Sequence, residues 1–184
     1  KCINNVFIDG NTDYIFGGGD VLFDACELSY YGYSNTQKGA YITAAADGST
    51  TGYIFRNCYV SANDAWDVAA GYFGRPWRSS ATVAFLNTKL QTKDTVTAVG
   101  WNSMSGARPE DANYQEYNTT VLGSGAADVS ARTAGTVKNE NPYADIVQTF
   151  KGWQPFYFAQ ETAVSASMLP RKVRISFISG GDYS

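Results

Sequence analysis

Gly52-Tyr53-Ile54-Phe55-Arg56-Asn57-Cys58-Tyr59-Val60 is the stretch that decides the fold. Apolar and aromatic side chains alternate along it with polar ones, the period of a strand rather than a helix. The same pattern occurs in Phe23-Asp24-Ala25-Cys26-Glu27-Leu28 and in Phe85-Leu86-Asn87-Thr88-Lys89-Leu90. Each unit has a phenylalanine, a thiol or small residue three positions on, and an aliphatic side chain two further on. The phenylalanines are 32 and 30 residues apart. Self-similarity at that period is the mark of stacked coils, each burying its face against the next. The expected architecture is all-β, a right-handed parallel β-helix in which equivalent residues form internal ladders. Cys26, Cys58 and Thr88 are expected to form one ladder of small buried side chains, because free cysteine behaves as a small hydrophobe.

Lys1-Cys2-Ile3-Asn4-Asn5-Val6-Phe7-Ile8 reads as the end of a similar unit, with Cys2 placed 24 residues before Cys26. The chain is therefore expected to start inside a coil, as an N-terminally incomplete domain. Excursions between coils are expected over 30–38 and 62–70, and a long aromatic loop building a binding face over 100–125. A short helix is expected over 145–151, with Gly152-Trp153-Gln154-Pro155 closing the domain. Residues 1–157 are assigned to the β-helix and 158–184 to a tail or linker without assigned role.

Composition narrows the chemistry. Among 184 residues there are 13 tyrosines, 18 glycines and no histidine, and the net charge is −3. Tyrosine- and glycine-rich, charge-poor usage favours strands and tight turns. A chain without histidine holds no Ser-His-Asp or Cys-His machinery and none of the usual zinc sites. Acid–base work then falls to carboxylates. The net negative charge leaves no footprint for nucleic acid. No apolar run reaches the roughly 18–20 residues that span a bilayer, and Lys1 to Gly10 does not resemble a signal peptide. Three cysteines are an odd number for a disulfide framework.

Three segments carry candidate chemistry. In Gly10-Asn11-Thr12-Asp13-Tyr14-Ile15-Phe16-Gly17-Gly18-Gly19 a single carboxylate stands among aromatics, with glycines that let a large ligand approach the backbone. The segment also fits an aspartate turning a corner between coils. In Gly71-Tyr72-Phe73-Gly74-Arg75-Pro76-Trp77 a rigid turn displays a cation beside an indole. Arginine orients a carboxylate through paired hydrogen bonds, and a tryptophan face offers a sugar ring an apolar platform; a structural arginine and a core tryptophan fit equally. Gly100-Trp101-Asn102-Ser103-Met104-Ser105-Gly106 either lines a groove or pins its loop to the coil.

Asp13-Tyr14-Ile15-Phe16-Gly17 followed about sixty residues later by Gly74-Arg75-Pro76-Trp77, with Tyr41-Ile42-Thr43-Ala44 between and Gly100-Trp101 after, resembles the pectin methylesterases from about residue 1 to 157. The resemblance implies hydrolysis of the methyl esters of galacturonate units in pectin, releasing methanol. It implies Asp13 as the nucleophile that forms an acyl intermediate, Arg75 as the group orienting it, and Trp77, Phe16 and Met104 against the substrate. It implies no metal and no cofactor, homogalacturonan as partner, no nucleic acid or membrane, a secreted location and a monomer when complete. The family's second aspartate, which serves as acid and then base, and its oxyanion glutamines fall upstream of the segment matching Asp13. Only twelve residues precede Asp13, and Asp9 does not sit in the corresponding motif. The chain alone is therefore expected to be nearly inactive. A sugar-binding β-helix without chemistry, or a β-helix acting on thioesters or other acyl groups, are the alternatives.

Overall fold

A computed structural model describes residues 1–32, 40–63 and 70–153. Most of the excursions expected over 62–70 and 30–38, the closing Gln154-Pro155 and the tail 158–184 lie outside the described residues. The first coil contains β1 (Cys2–Asn4), β2 (Phe7–Gly10) and β3 (Thr12–Gly17); the second β4 (Val21–Asp24), β5 (Glu27–Tyr30) and β6 (Tyr41–Ala45). The third contains β7 (Tyr53–Arg56), β8 (Tyr59–Ala62) and β9 (Tyr72–Gly74). Then follow β10 (Thr82–Leu86), β11 (Lys89–Leu90), β12 (Asn113–Tyr117), β13 (Thr120–Val121), β14 (Gly125–Ala126) and a single helical turn, α1 (Ile146–Thr149). The strands stack into three sheets, ordered β1-β4-β7-β10-β12, β14-β13-β11-β8-β5-β2 and β3-β6-β9. Among the described residues every pairing between these strands is parallel except β13 with β14. This is a parallel β-helix.

The phenylalanine repeat is its internal ladder. Phe23 stacks on Phe55 at 4.5 Å between ring centroids and Phe55 on Phe85 at 4.4 Å. Cys26, Cys58 and Thr88 are buried one rung apart, and all three cysteines are free thiols. Cys2 is not on that ladder. It pairs with Leu22, whereas Phe7 pairs with Glu27, so Val6 occupies the thiol rung. The first coil is the reason: Ile3 pairs with Phe23 after only 20 residues, because Gly10 and Asn11 join β2 to β3 without an excursion, and a 30-residue period overshoots it.

The alternation read through Gly52 to Val60 is interrupted at Asn57. That residue has φ 55°, and so do its equivalents within a few degrees: Asn5 at 54°, Ala25 at 52°, Asn87 at 53° and Asn118 at 52°. One left-handed residue per coil bends the chain from the first sheet into the second. Asparagine tolerates that conformation because its short polar side chain bonds locally. Here the amides also bond along the stack, Asn118 to Asn87 Oδ1 at 2.9 Å, Asn87 to Asn57 Oδ1 at 3.3 Å and Asn57 to Asp24 Oδ1 at 3.3 Å. Ala25 is exposed and bears a Cβ in a region that costs about 1–2 kcal/mol for such residues. Ala25→Asn is expected to raise the thermal midpoint by roughly 2–4 °C, about 1 kcal/mol for a domain of this size, read by circular dichroism; an unchanged or lower midpoint would refute the strain argument.

The first sheet is apolar on both faces, which hides its alternation. Phe23, Phe55 and Phe85 point into the coil, while Leu22, Ile54, Ala84 and Leu86 pack outside it against Ile146, with Tyr143 and Phe150 alongside. The helix expected over 145–151 forms as α1, with the Asp145 carboxylate accepting from Gln148 N–H at 2.9 Å as N-cap. The long loop expected over 100–125 is instead largely a further coil. Asn113–Tyr117 pairs along the whole of β10, and Glu116 takes the rung of Phe85. Glu116 is 1% exposed and bound by Arg132 Nε at 2.8 Å and Thr119 Oγ1 at 2.7 Å. Arg132 also donates to the carbonyls of Thr97 and Ala98. This ion pair lies at the end of the phenylalanine ladder and ties the segment after β14 to the last coil.

Candidate active site

Asp13 stands on β3 at a β-bulge. Thr12 pairs with Tyr41 and Ile15 with Thr43, so Asp13 and Tyr14 together oppose Ile42 alone. Asp13 has φ 54°, a conformation aspartate tolerates better than most residues. The extra residue lets Tyr14 bury its hydroxyl while Asp13 keeps partial exposure. Gly10 is required beside it, because a Cβ there would overlap the Tyr14 side chain.

Arg75 arrives from the other side of the same sheet. Gly74 ends β9 against Thr43, so close that any Cβ would collide with Thr43 Oγ1 and its carbonyl. Thr43 Oγ1 donates to Phe73 O at 3.0 Å, and Thr43 O accepts from Arg75 N–H at 3.0 Å. The Thr43 of Tyr-Ile-Thr-Ala and the glycine of Gly-Arg-Pro-Trp are thus two halves of one backbone contact. From that fixed base the guanidinium makes a paired contact with the carboxylate: Nε to Asp13 Oδ1 at 2.9 Å and Nη2 to Oδ2 at 2.6 Å. The side chains are 22% and 19% exposed, open enough to be reached by a ligand. The Arg75 pKa is raised above its ordinary value, first by these hydrogen bonds, against the opposing effect of burial. The Tyr114 hydroxyl is pushed up too, first by burial and then by the charge of Asp13.

Phe16 follows on β3 opposite Ala44, and Trp77 follows Arg75 with its N–H bonded to Ala45 O at 3.0 Å. Both rings are exposed, Phe16 at 68% and Trp77 at 38%, with only the small Ala44 and Ala45 on the strand between them. The two alternatives for Gly100–Gly106 divide by residue. Trp101 is 2% exposed, bridged to Gly74 and stacked on Tyr114 at 4.2 Å, so it pins the loop to the coil. Met104 is half-buried beyond it, in a tight turn where its backbone exchanges hydrogen bonds with Ala107. The structure brings Asp13 and Arg75 together, with Phe16 on β3 and Trp77 three residues past the end of β9, on either side of β6; Met104 is on the turn that follows Trp101. Sequence reasoning gave no role to the side chains of Tyr41, whose ring lies against Arg75, and Asn102, which bonds the Tyr41 hydroxyl; the place of Tyr41 in the Tyr41-Ile42-Thr43-Ala44 run was the available signal. Among the described residues no group of His, Cys, Asp and Glu could hold a metal ion.

A family model described as pectinesterase matches residues 2–147. The chain belongs to the pectinesterase family. Curated relatives include the probable pectinesterase A of Neosartorya fischeri, 37% identical over 134 residues that are 70% of this chain and 37% of the relative. Pectinesterase A of Emericella nidulans is 34% identical over the same shares. Among solved structures, pectin methylesterase from Aspergillus niger matches with a TM-score of 0.65 and 29% identity, over 82% of this chain and 46% of that one. A pectin methylesterase solved in complex with a hexasaccharide matches at a TM-score of 0.64 and 22% identity, over 84% of this chain and 52% of that one. This pectinesterase chain spans little more than a third of the length of the curated relatives it matches.

Proposed function

We propose that this chain contributes the nucleophilic part of a pectin methylesterase site. The observation that carries the proposal is the paired contact of Arg75 with Asp13 on the open face of β3-β6-β9. A carboxylate held by both oxygens on a guanidinium keeps a fixed line of attack, which is what a nucleophile requires. One Asp13 oxygen adds to the ester carbonyl of a methylated galacturonate unit, and the tetrahedral centre collapses to an acyl–Asp13 anhydride as methoxide leaves and takes up a proton. Water then adds to the galacturonate carbonyl, regenerating the Asp13 carboxylate and freeing the sugar acid. Phe16 and Trp77 offer exposed rings to the sugars, which favours a polysaccharide over a thioester ligand. Met104 belongs to the cleft wall in this proposal.

The proton for methanol and the donors for the oxyanion are expected from an aspartate and glutamines that the family carries upstream of the segment matching Asp13. Losing oxyanion donors alone costs about 10²–10³ in rate, and losing general acid–base catalysis about 10²–10⁴. The 184-residue chain is therefore expected to release methanol from methylated pectin at no more than about a thousandth of the rate of the Aspergillus niger enzyme. Release at a comparable rate would overturn that division of labour. Grafting the preceding part of the Aspergillus niger enzyme ahead of the chain is expected to restore release. A graft that binds pectate but releases nothing would favour the sugar-binding alternative. Homogalacturonan as ligand, an extracellular location and action as a monomer belong to the same proposal.

A further inference from the structure

Asp13 is on β3 and Arg75 directly follows β9, and those two strands are not neighbours. The order β3-β6-β9 leaves β6 between them, so the guanidinium crosses a gap of about two strand spacings, roughly 10 Å, to reach the carboxylate. A long side chain held extended over that distance loses rotamer freedom. Asp13 in turn sits at a bulge, outside the regular ladder pairing of its strand.

The gap is bridged by Tyr41, whose ring lies 4.0 Å from the Arg75 guanidinium carbon. That ring is itself held in place. It stacks on Tyr72 at 5.1 Å with 15° between planes. Its hydroxyl accepts from Asn102 Nδ2 at 3.0 Å. The Asn102 carboxamide is fixed at its other end by Ser103 N–H, 2.8 Å from Oδ1, and its backbone N–H bonds Gly74 O at 3.0 Å. A planar, weakly hydrated guanidinium packs on such a π face, which an ammonium does less well.

We infer that Tyr41, clamped by Asn102, is a positioning residue whose ring keeps Arg75 extended across β6 and thereby orients Asp13. Its bearing on catalysis rests on the esterase function proposed above; the geometric claim does not. Tyr41 is not a catalytic residue in this scheme, since it acts through Arg75.

The test uses the full chain labelled with ¹⁵N and reads the Arg75 Nε–H signal, both its solvent-exchange rate and its displacement by the Tyr41 ring current. Asp13→Asn, which weakens the paired contact, calibrates the rate of a loosened guanidinium. Tyr41→Leu is expected to speed exchange about tenfold, the ratio that a contact of this class supports, and to abolish the displacement. Tyr41→Phe keeps the ring but loses the Asn102 clamp, and is expected to retain the displacement with exchange raised about two- to threefold over the wild type; Asn102→Ala is expected to behave like Tyr41→Phe. Exchange in Tyr41→Leu within twofold of the wild type, while Asp13→Asn raises it, would overturn the inference. If Tyr41→Leu does not fold, Tyr41→Phe and Asn102→Ala decide: unchanged rates in both overturn it, and faster exchange with the displacement retained supports it. None of these readings needs methanol release, so an inactive graft would count against the esterase proposal alone.

Discussion

Asp13→Asn in the grafted protein is expected to lower methanol release from methylated pectin by at least about a thousandfold. An amide oxygen is a far weaker nucleophile than a carboxylate oxygen. Asparagine suits the test because it tolerates φ 54° as aspartate does and still offers an oxygen to Arg75. The loss should appear in kcat, with binding of de-esterified pectate changed far less, since Phe16 and Trp77 remain. Release within tenfold of the unmutated graft would remove Asp13 from the nucleophile role and with it the proposed reaction.

The largest effect on stability is expected at the other end of the stack. Glu116→Ala leaves Arg132, whose side chain is 3% exposed, as a buried cation without its carboxylate. Breaking a buried pair from one side costs about 3–5 kcal/mol, and the Thr97 and Ala98 carbonyls that remain should hold the loss near 3. Urea denaturation should show a lower midpoint with an unchanged slope. Glu116→Leu combined with Arg132→Met should recover most of the loss, because an apolar pair of similar volume suits a rung that Phe85 occupies one coil earlier. A loss below 1 kcal/mol in Glu116→Ala would mean that the charge is solvated in a way the geometry does not provide.

The two ends of the stack differ in how far their sequence betrays them. Phe23, Phe55 and Phe85 announce the coil because each repeats one residue type on one rung, and spacing alone then brings Asp13 toward Arg75. Glu116 belongs to the same ladder, yet a charged residue on an apolar rung gives no periodic signal until its partner sixteen residues on is known. Cys2 misleads for the opposite reason: its identity matches Cys26, but the short connection at Gly10-Asn11 sets its strand in another register. Ile54 and Leu22 look like breaks in alternation because the cover supplied by Ile146 lies 92 and 124 residues further along the sequence. The Asp13 bulge is equally silent, since one added residue changes no composition and only the pairing of Thr12 and Ile15 exposes it. What the residues declare is local repetition; what they conceal is the partner that arrives from a distant coil.

The run of asparagines at the corner has a sense as well as a position. From Asn118 through Asn87 and Asn57 every amide gives its hydrogen in the same direction, and the line finishes on the Asp24 carboxylate, which accepts only and is shared with Arg56 Nε at 2.7 Å. Aligned dipoles of this kind polarise one another. The stack therefore carries an arrow: exchanging the second and third coils would put the acceptor-only residue in mid-line, where it has no hydrogen to pass on, and would split one polarised column into two.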